Sequence, residues 1–348
     1  SLVITVFVYA CKYWILHGVF GQIEADVMHH ADVYLLIVTA SIPFIALYNG
    51  GAAVFRAMGN SEVSMKVSLL MNAINVSGNA ILIYGFHCGT EGVAIPTLVS
   101  RFVAAFIIIK LLLKDKWSLH LERTFRFNPD WSMIRKILSV GIPNGLENSM
   151  FQLGKVLVLS LVSTFGTYAI AANAVSNVIT LFSILPGQAI CLAVTTVIAR
   201  CVGAGDYEQA KYYNKKLILL THIGMAITIF IVFITLPFIL KVYNLSEAAS
   251  EATRHIIWFH GFCAILIWAE SFTLPATFRA CGDAKACMII STVSMWIFRV
   301  GASYILGKNL GLGVFGVWVA MIIDWAFRSL LFGIRYFSGK WKKHALVS

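Results

Sequence analysis

The stretch FRAMGNSEVSMKVS at residues 55–68 recurs as FRACGDAKACMIIS at residues 278–291, with six of fourteen positions identical. A second match follows in step, because GVAIPTLVSR at 92–101 stands opposite GVWVAMIIDW at 316–325. Two matches in the same order indicate an internal duplication, which is common in membrane proteins built from two similar helical bundles. The chain is therefore predicted to contain two related halves.

The composition places the chain in a lipid bilayer. Of its 348 residues, 59% are hydrophobic and 12% are charged, with a mean hydropathy of +0.81. Soluble domains carry roughly 25% charged residues. Apolar runs of about 20 residues recur along the chain, and each can cross the hydrocarbon layer as a helix. These features predict an all-α polytopic membrane protein and exclude a soluble enzyme or a nucleic-acid-binding domain, although the net charge is +11.

The apolar runs can be assigned to about ten membrane spans, separated by turns rich in Gly, Asn, Asp and Pro. The predicted spans are residues 1–20, 33–54, 66–87, 92–113, 134–162, 168–199, 215–240, 253–277, 286–307 and 313–335. Six of them lie between the two copies of the repeated stretch. Because six is an even number, both copies face the same side, and the two lobes are predicted to be parallel repeats.

The loops alternate in charge, which predicts the orientation. Nineteen of the 27 Lys and Arg residues fall in the loops at 55–66, 110–136, 200–216, 279–285 and 335–343. The intervening loops are acidic or nearly neutral, one of them containing Glu24, Asp26 and Asp32. Basic loops remain on the cytoplasmic side, so the repeated stretch and the C-terminus are predicted to be cytoplasmic, in a multi-pass protein of the plasma membrane.

Aligning the halves predicts an incomplete N-terminal lobe. The expected organisation is an N-terminal lobe at 1–115, a cytoplasmic inter-lobe loop at 116–133 and a C-terminal lobe at 134–348, with about four and six spans. Ser1 falls opposite Gly224, so two spans of the second lobe have no counterpart in the first. A symmetric protein would have six spans in each lobe, and we expect that the chain begins within a longer gene or has been trimmed.

Four stretches resemble the multidrug and toxic compound extrusion (MATE) family, and within it the bacterial DinF-like branch. They are FRAMGNS with the following SLLMNAINVSGNAILIYG, GVAIPTLVSR, GIPNGLENSMFQLGKVLVLSLVSTFG (141–166) and LPATFRACGDAK (274–285). The resemblance implies two six-helix lobes, of which the first two helices are absent here. It also implies a monomeric secondary transporter, not an enzyme, that exports organic cations or other amphipathic drugs in exchange for H⁺ or Na⁺ by alternating access.

The resemblance thus implies no cofactor beyond the coupling ion and no metal, with the lipid bilayer and small amphipathic or cationic substrates as partners. Two alternatives stay open. One is a lipid-linked oligosaccharide flippase of the same superfamily, which a strongly basic cavity would favour. The other is a truncated membrane protein that does not transport. An intramembrane enzyme is not supported, because no Ser/His or paired-Asp arrangement is visible in facing spans.

Ionisable residues within the spans are the candidate coupling sites, because each costs roughly 2.5–3.5 kcal/mol at mid-membrane. They are Arg101, Glu147, Lys155, Glu270, Arg299, Asp324 and Arg328. Glu147 follows Pro143, which permits a bend that can hold water, so its carboxylate could exchange a proton. The alternatives are an ion pair with Lys155, about two turns away on the same face, a polar contact between helices, or a position near the headgroups. The family's acid in this helix usually lies near the position of Phe151.

Glu270 and Asp324 are the other two cation-coupling candidates. Glu270 precedes Pro275, and the resemblance places an acidic ligand nearby, where Trp268 stands. The alternatives are a bond to a neighbouring helix and a position close to the outer half of the membrane. Asp324 and Arg328 are four residues apart, a spacing that favours a neutralising pair on one helix face. Arg299 is a further candidate partner for these acids.

Substrate-cavity candidates combine amides with an aromatic ring, groups that can hold flat organic cations. They are Asn148, Phe151, Gln152, Lys155, Asn173, Asn177 and Gln188. Lys155 could instead repel cations, which would favour a neutral or anionic cargo.

The repeated stretch itself is predicted to form cytoplasmic turns. Gly59 and Gly282 supply the turn, Arg56 and Arg279 anchor to headgroups, and Asn60 or Asp283 caps the following helix.

Overall fold

The computed structural model describes residues 1–14, 16, 25–122 and 129–344, and within these ranges the regular structure is helical throughout. Glu24 and the loop residues 123–128 lie outside the described residues. The chain separates into two compact units, Ser1–Phe127 and Asn128–Ser348. The boundary falls inside the region predicted from sequence as the inter-lobe loop.

The N-terminal unit contains six helices among its described residues. They are α1 (Leu2–Ala10), α2 (Lys12–Trp14), α3 (Ala25–Ala40), α4 (Ile42–Ala57), α5 (Ser61–Ala80) and α6 (Glu91–Leu112). A π-helical segment, Ile81–Gly85, continues α5. The apolar core of this unit is centred on Phe55 and Ile108, which are both fully buried between α4 and α6.

The C-terminal unit contains seven α-helices in its described residues. They are α7 (Trp131–Ser163), α8 (Thr167–Gly203), α9 (Tyr207–Tyr243), α10 (Glu247–Trp268), α11 (Leu274–Ala280), α12 (Ala284–Ser294) and α13 (Gly313–Phe337). Three helix starts have a carboxylate or hydroxyl cap: Asp130 accepts from the Ser132 and Met133 amides, Asp206 from the Gln209 amide, and Ser246 from the Ala249 amide. Such caps satisfy amides that a helix N-terminus leaves unpaired.

Eight helical segments of the described residues are long and apolar enough to cross a membrane. They are Asp26–Ala57, Ser61–Gly85, Glu91–Leu112, Thr167–Gly203, Tyr207–Tyr243, Glu247–Ala280, Ala284–Asn309 and Gly313–Phe337. Each corresponds to one span predicted from the sequence. Asp26 and Asp32, which were expected in a loop, are instead within α3, where the Lys12 Nζ lies 2.7 Å from the Asp32 carboxylate.

Two predicted spans are not among the eight. The predicted span at 1–20 extends into residues that are not described. Helix α7 has 33 residues, about 50 Å, which is long enough to cross the hydrocarbon layer. Its middle carries Asn144, Glu147 and Asn148, so it is less apolar than the other long helices. The polar residues that make α7 a poor apolar span are the ones that line the cavities described below.

Large apolar side chains cover the outer surface of the helices. Phe238 is 71% exposed, Leu266 70% and Phe337 87%. In water such a surface would aggregate, but lipid tails are as apolar as these side chains. The exposure is therefore that of a chain solvated by lipid.

Close packing in the C-terminal unit relies on glycine. A Cβ on Gly316 would lie 2.8 Å from the backbone of Leu306, and one on Gly187 would overlap the Trp268 ring. Small residues at helix contacts allow such close approach in membranes, where dispersion contacts replace the hydrophobic effect.

Segments of π-helix interrupt the regular helices where two charged side chains lie. Ala269–Thr273 joins α10 to α11 and contains Glu270, while Met295–Gly301 follows α12 and contains Arg299. A π-helical turn adds a residue to the helical turn, and such insertions are frequent at functional sites. Both charged side chains are thus turned to faces that a regular helix would not give them.

The turns of the repeated stretch agree in part with the prediction. Gly59 and Gly282 have φ values of 82° and 86°, left-handed backbone that glycine adopts without strain. The expectation that Asn60 or Asp283 caps the next helix is wrong, because neither side chain makes a capping hydrogen bond. The Asp283 carboxylate instead accepts two hydrogen bonds from Arg335, at 2.6 and 2.9 Å, and a charged bidentate pair outweighs a single amide bond.

Candidate functional site

The C-terminal unit contains an open cavity of about 650 Å³ formed by helices α7, α8, α10, α11 and α13 with the π-helical segments. Its lining combines aromatic rings, amides and cations. The residues that matter here are Phe151, Trp268, Phe272, Trp318, Trp325, Asn177, Gln188, Lys155, Arg279 and Arg299. Its volume is within the range of small-molecule sites, about 300–1,000 Å³.

Two smaller cavities of the same unit share several of these residues. One of about 250 Å³ is lined by Asn173, Asn177 and Lys155, and the indole of Trp318 donates a hydrogen bond of 3.1 Å to Asn173. The other, of about 200 Å³, includes Asn148 and Phe151. Six of the seven residues proposed from sequence as cavity lining are therefore placed at these cavities.

Gln152, the seventh, contributes to none of the three cavities and is exposed.

Three cations surround the ring of Phe151. The Nζ of Lys155 lies 5.0 Å from the ring centroid, and the guanidinium carbons of Arg299 and Arg328 lie at 5.3 and 5.4 Å. The electron-rich faces of an aromatic ring attract cations at such distances. One phenyl ring and the single carboxylate that bonds Arg328 do not neutralise three positive charges, so this cluster is electropositive.

Asp324 and Arg328 form the ion pair predicted from their spacing. The Arg328 Nε donates to Asp324 Oδ1 at 2.9 Å, and the Ser294 hydroxyl donates to the same oxygen at 2.5 Å. Both side chains are buried, with Asp324 0% and Arg328 3% exposed. Within the described residues, Arg299 makes no ion pair within 4 Å with Glu270 or Asp324, and its guanidinium lies against the Phe151 ring.

Glu147 is paired with Arg279, which corrects two expectations. The Arg279 Nη2 donates to Glu147 Oε1 at 2.7 Å. Lys155, which one alternative paired with Glu147, lies over Phe151 instead. Arg279 lines the cavity of the unit, which corrects the expectation that it anchors to headgroups. A buried carboxylate is stabilised by the nearest cation, and α11 brings Arg279 to it across 132 residues of chain. The repeat counterpart Arg56 is only partly buried.

Glu270 is bonded to a histidine that sequence reasoning overlooked. The Nε2 of His222 lies 3.0 Å from Glu270 Oε1, and its Nδ1 lies 2.7 Å from the carbonyl oxygen of Ile265. This matches the alternative in which Glu270 bonds to a neighbouring helix. His222 could have been found from the sequence as an ionisable residue within the apolar span at 215–240, since intramembrane ionisable groups are functional candidates.

The geometry of this pair depends on one proton. A carbonyl oxygen only accepts, so Nδ1 of His222 carries hydrogen and donates to Ile265. If the imidazole is neutral, Nε2 is an acceptor and Glu270 must be protonated to bond to it. If Glu270 is ionised, the imidazole must be cationic. The contact therefore holds one proton, and removing that proton sets two acceptors face to face.

The model for the family described as MatE matches residues 1–81 and 143–305 of this chain. The chain belongs to the MatE family. Among curated relatives, a protein of Thermotoga maritima named "Probable multidrug resistance protein NorM" is 26% identical over 339 residues, covering 96% of this chain and 72% of its own length. MatE proteins are transporters embedded in the membrane, not enzymes.

Two solved MatE-related structures share the fold. An outward-facing multidrug resistance MATE family transporter of the MOP superfamily superposes with a TM-score of 0.87 at 19% identity, covering 99% of this chain and 78% of that one. A MOP superfamily transporter from Pyrococcus furiosus, described as having a binding pocket of reverse polarity, gives 0.87 at 20% identity, covering 97% and 77%. These likenesses establish the two-lobe helical MatE fold. The DinF-like branch stays a prediction.

Proposed function

We propose that this MatE protein exports amphipathic small molecules by alternating access, driven by an inward ion gradient. One observation carries the proposal. The membrane helices that contain ionisable groups also form a cavity of about 650 Å³, which is lined by aromatic rings and amides. Charges at this depth are costly and are retained where they bind ions or cargo. The relatives named as multidrug resistance proteins support drug export over the flippase alternative, although the cavity is electropositive.

The coupling ion we propose is H⁺, with Na⁺ as the alternative, and the Glu270–His222 contact is the proposed proton site. Among the described residues no other charged side chain is hydrogen-bonded to either partner. The contact joins α9 to the π-helical segment Ala269–Thr273, which borders the cavity through Phe272. Loss of the proton breaks the contact, so protonation is linked to the packing of these helices.

Glu147 and Asp324 remain candidate coupling residues, but we rank them below Glu270. Each already has a cation bonded to it, Arg279 at 2.7 Å and Arg328 at 2.9 Å. A carboxylate that already holds a guanidinium needs no further cation to balance its charge. Their geometry is that of structural ion pairs, as the sequence spacing indicated for Asp324.

The test is transport by the purified chain in proteoliposomes. A fluorescent amphipathic probe is supplied outside the proteoliposomes. In one set the lumen is acidic, and in a second set the lumen is loaded with Na⁺. We expect probe accumulation with the acidic lumen, loss of at least tenfold in Glu270→Gln, and little change in Glu251→Gln, an exposed acid on the same helical segment. Probe accumulation that is independent of both gradients would contradict the proposal. Accumulation that depends on the Na⁺ gradient alone would identify Na⁺ as the coupling ion instead of H⁺.

The orientation and assembly are part of the same proposal. We place the protein in the plasma membrane as a monomer, with its C-terminus in the cytoplasm. The concentration of Lys and Arg in alternate loops supports this orientation.

A further inference from the structure

The charges around the cavity of the C-terminal unit do not balance. Four cations (Lys155, Arg279, Arg299 and Arg328) lie at or beside the cavities, together with two carboxylates, Glu147 and Asp324. Each carboxylate is bonded to one arginine, which leaves two cations without an acidic partner among the described residues.

The two surplus cations are Lys155 and Arg299. Both line the 650 Å³ cavity and the adjacent 250 Å³ cavity, and both lie against Phe151. Like charges this close repel each other, and a counter-charge between them lowers that repulsion. Among the described residues, the two acids at or beside these cavities, Glu147 and Asp324, are each bonded to a guanidinium group, so these cavities present no free carboxylate to an organic cation.

The rest of the lining specifies the body of the ligand. Trp268, Phe272 and Trp318 present apolar rings to the same cavity, and Asn177 and Gln188 add amides. Rings offer stacking surface to a flat aromatic body, and the guanidinium of Arg299 suits a planar or tetrahedral acid group.

We infer that this site selects an amphipathic aromatic anion, with Lys155 and Arg299 binding its acid group. The inference rests on the proposed export function and names the charge class of its cargo. It reverses the expectation of a cationic cargo that came with the family resemblance.

Equilibrium binding tests the inference without any gradient. Naphthalene-2-sulfonate and trimethyl(2-naphthyl)ammonium share one ring system and differ in charge, and each is titrated calorimetrically into the purified full chain. We expect the sulfonate to bind at least tenfold more tightly. Lys155→Gln is expected to weaken sulfonate binding about tenfold and Lys155→Glu further, while Lys285→Gln, which removes an exposed charge in the first turn of α12, leaves it unchanged.

Three results would overturn the inference: equal or tighter binding of the ammonium compound, absence of sulfonate binding, or sulfonate affinity that is unaffected by Lys155→Gln. Because Lys155 is exposed to the cavity, its replacement leaves no buried group unpaired, and folding is not expected to change. If the chain binds the sulfonate but an H⁺ or Na⁺ gradient does not drive its transport, the proposed function is contradicted and the inference about charge selectivity is not. If an ion gradient drives transport of the ammonium compound but not of the sulfonate, this inference is contradicted and the proposed function is not.

Discussion

Replacing Asp324 with Asn is expected to destabilise the C-terminal unit strongly. The Arg328 Nε lies 2.9 Å from Asp324 Oδ1, and both side chains are buried. At an effective dielectric constant of about 20, two unit charges at this distance attract by about 6 kcal/mol. Desolvation offsets part of this attraction, and removing one partner of a buried pair typically costs about 3–5 kcal/mol because the other charge stays buried.

The cost in this protein has a second source. Arg328 shares the Phe151 ring with Lys155 and Arg299, so loss of the Asp324 charge leaves the group with more repulsion. For a unit of this size, a loss of about 3–5 kcal/mol lowers the melting temperature by roughly 6–20 °C. The assay is thermal unfolding of the purified protein in detergent, followed by intrinsic Trp fluorescence.

The double variant Asp324→Leu with Arg328→Met supplies the control. It removes both charges, and apolar replacements of a buried ion pair are often neutral or stabilising. We expect its melting temperature to return to within a few degrees of the native value, while Glu251→Gln, an exposed acid, shows no shift. A single variant that melts within about 2 °C of native, or a double variant as unstable as the single one, would refute the reasoning.

Two further predictions concern packing and thiol chemistry. Gly316→Ala is expected to lower the free energy of unfolding by about 1–3 kcal/mol, because its Cβ would lie 2.8 Å from the Leu306 backbone. Gly333→Ala on the same helix has open space around it and is expected to have no such cost. Equal melting temperatures of the two variants would contradict this prediction. Burial, together with the charge of Asp283, raises the pKa of the Cys281 thiol to about 12, so the thiolate is scarce at pH 8 and maleimide labelling requires unfolding. Labelling of folded protein at pH 8, located at Cys281 by mass spectrometry, would count against the buried position.

The membrane spans and turns could be predicted from the sequence because they depend on residues that are close together in the chain. A stretch of about 20 apolar residues crosses a bilayer wherever it occurs, so eight of the predicted spans reappear as long apolar helices. Gly59 and Gly282 mark turns because only glycine adopts their backbone conformation without strain. Asp324 and Arg328 were predicted to pair because one turn of a single helix brings them together.

The partners of the other charges were decided by tertiary structure alone. Glu147 meets Arg279 across 132 residues and Glu270 meets His222 across 48, distances over which no helical spacing is informative. The outcome depends on how each helix is rotated about its axis, and the π-helical turns that carry Glu270 and Arg299 shift that rotation in a way the apolar pattern does not record. Hydrophobicity is a property of consecutive residues and fixes which segments enter the membrane. The charge of the cavity is a property of faces that meet in space, so only the packed helices determine it.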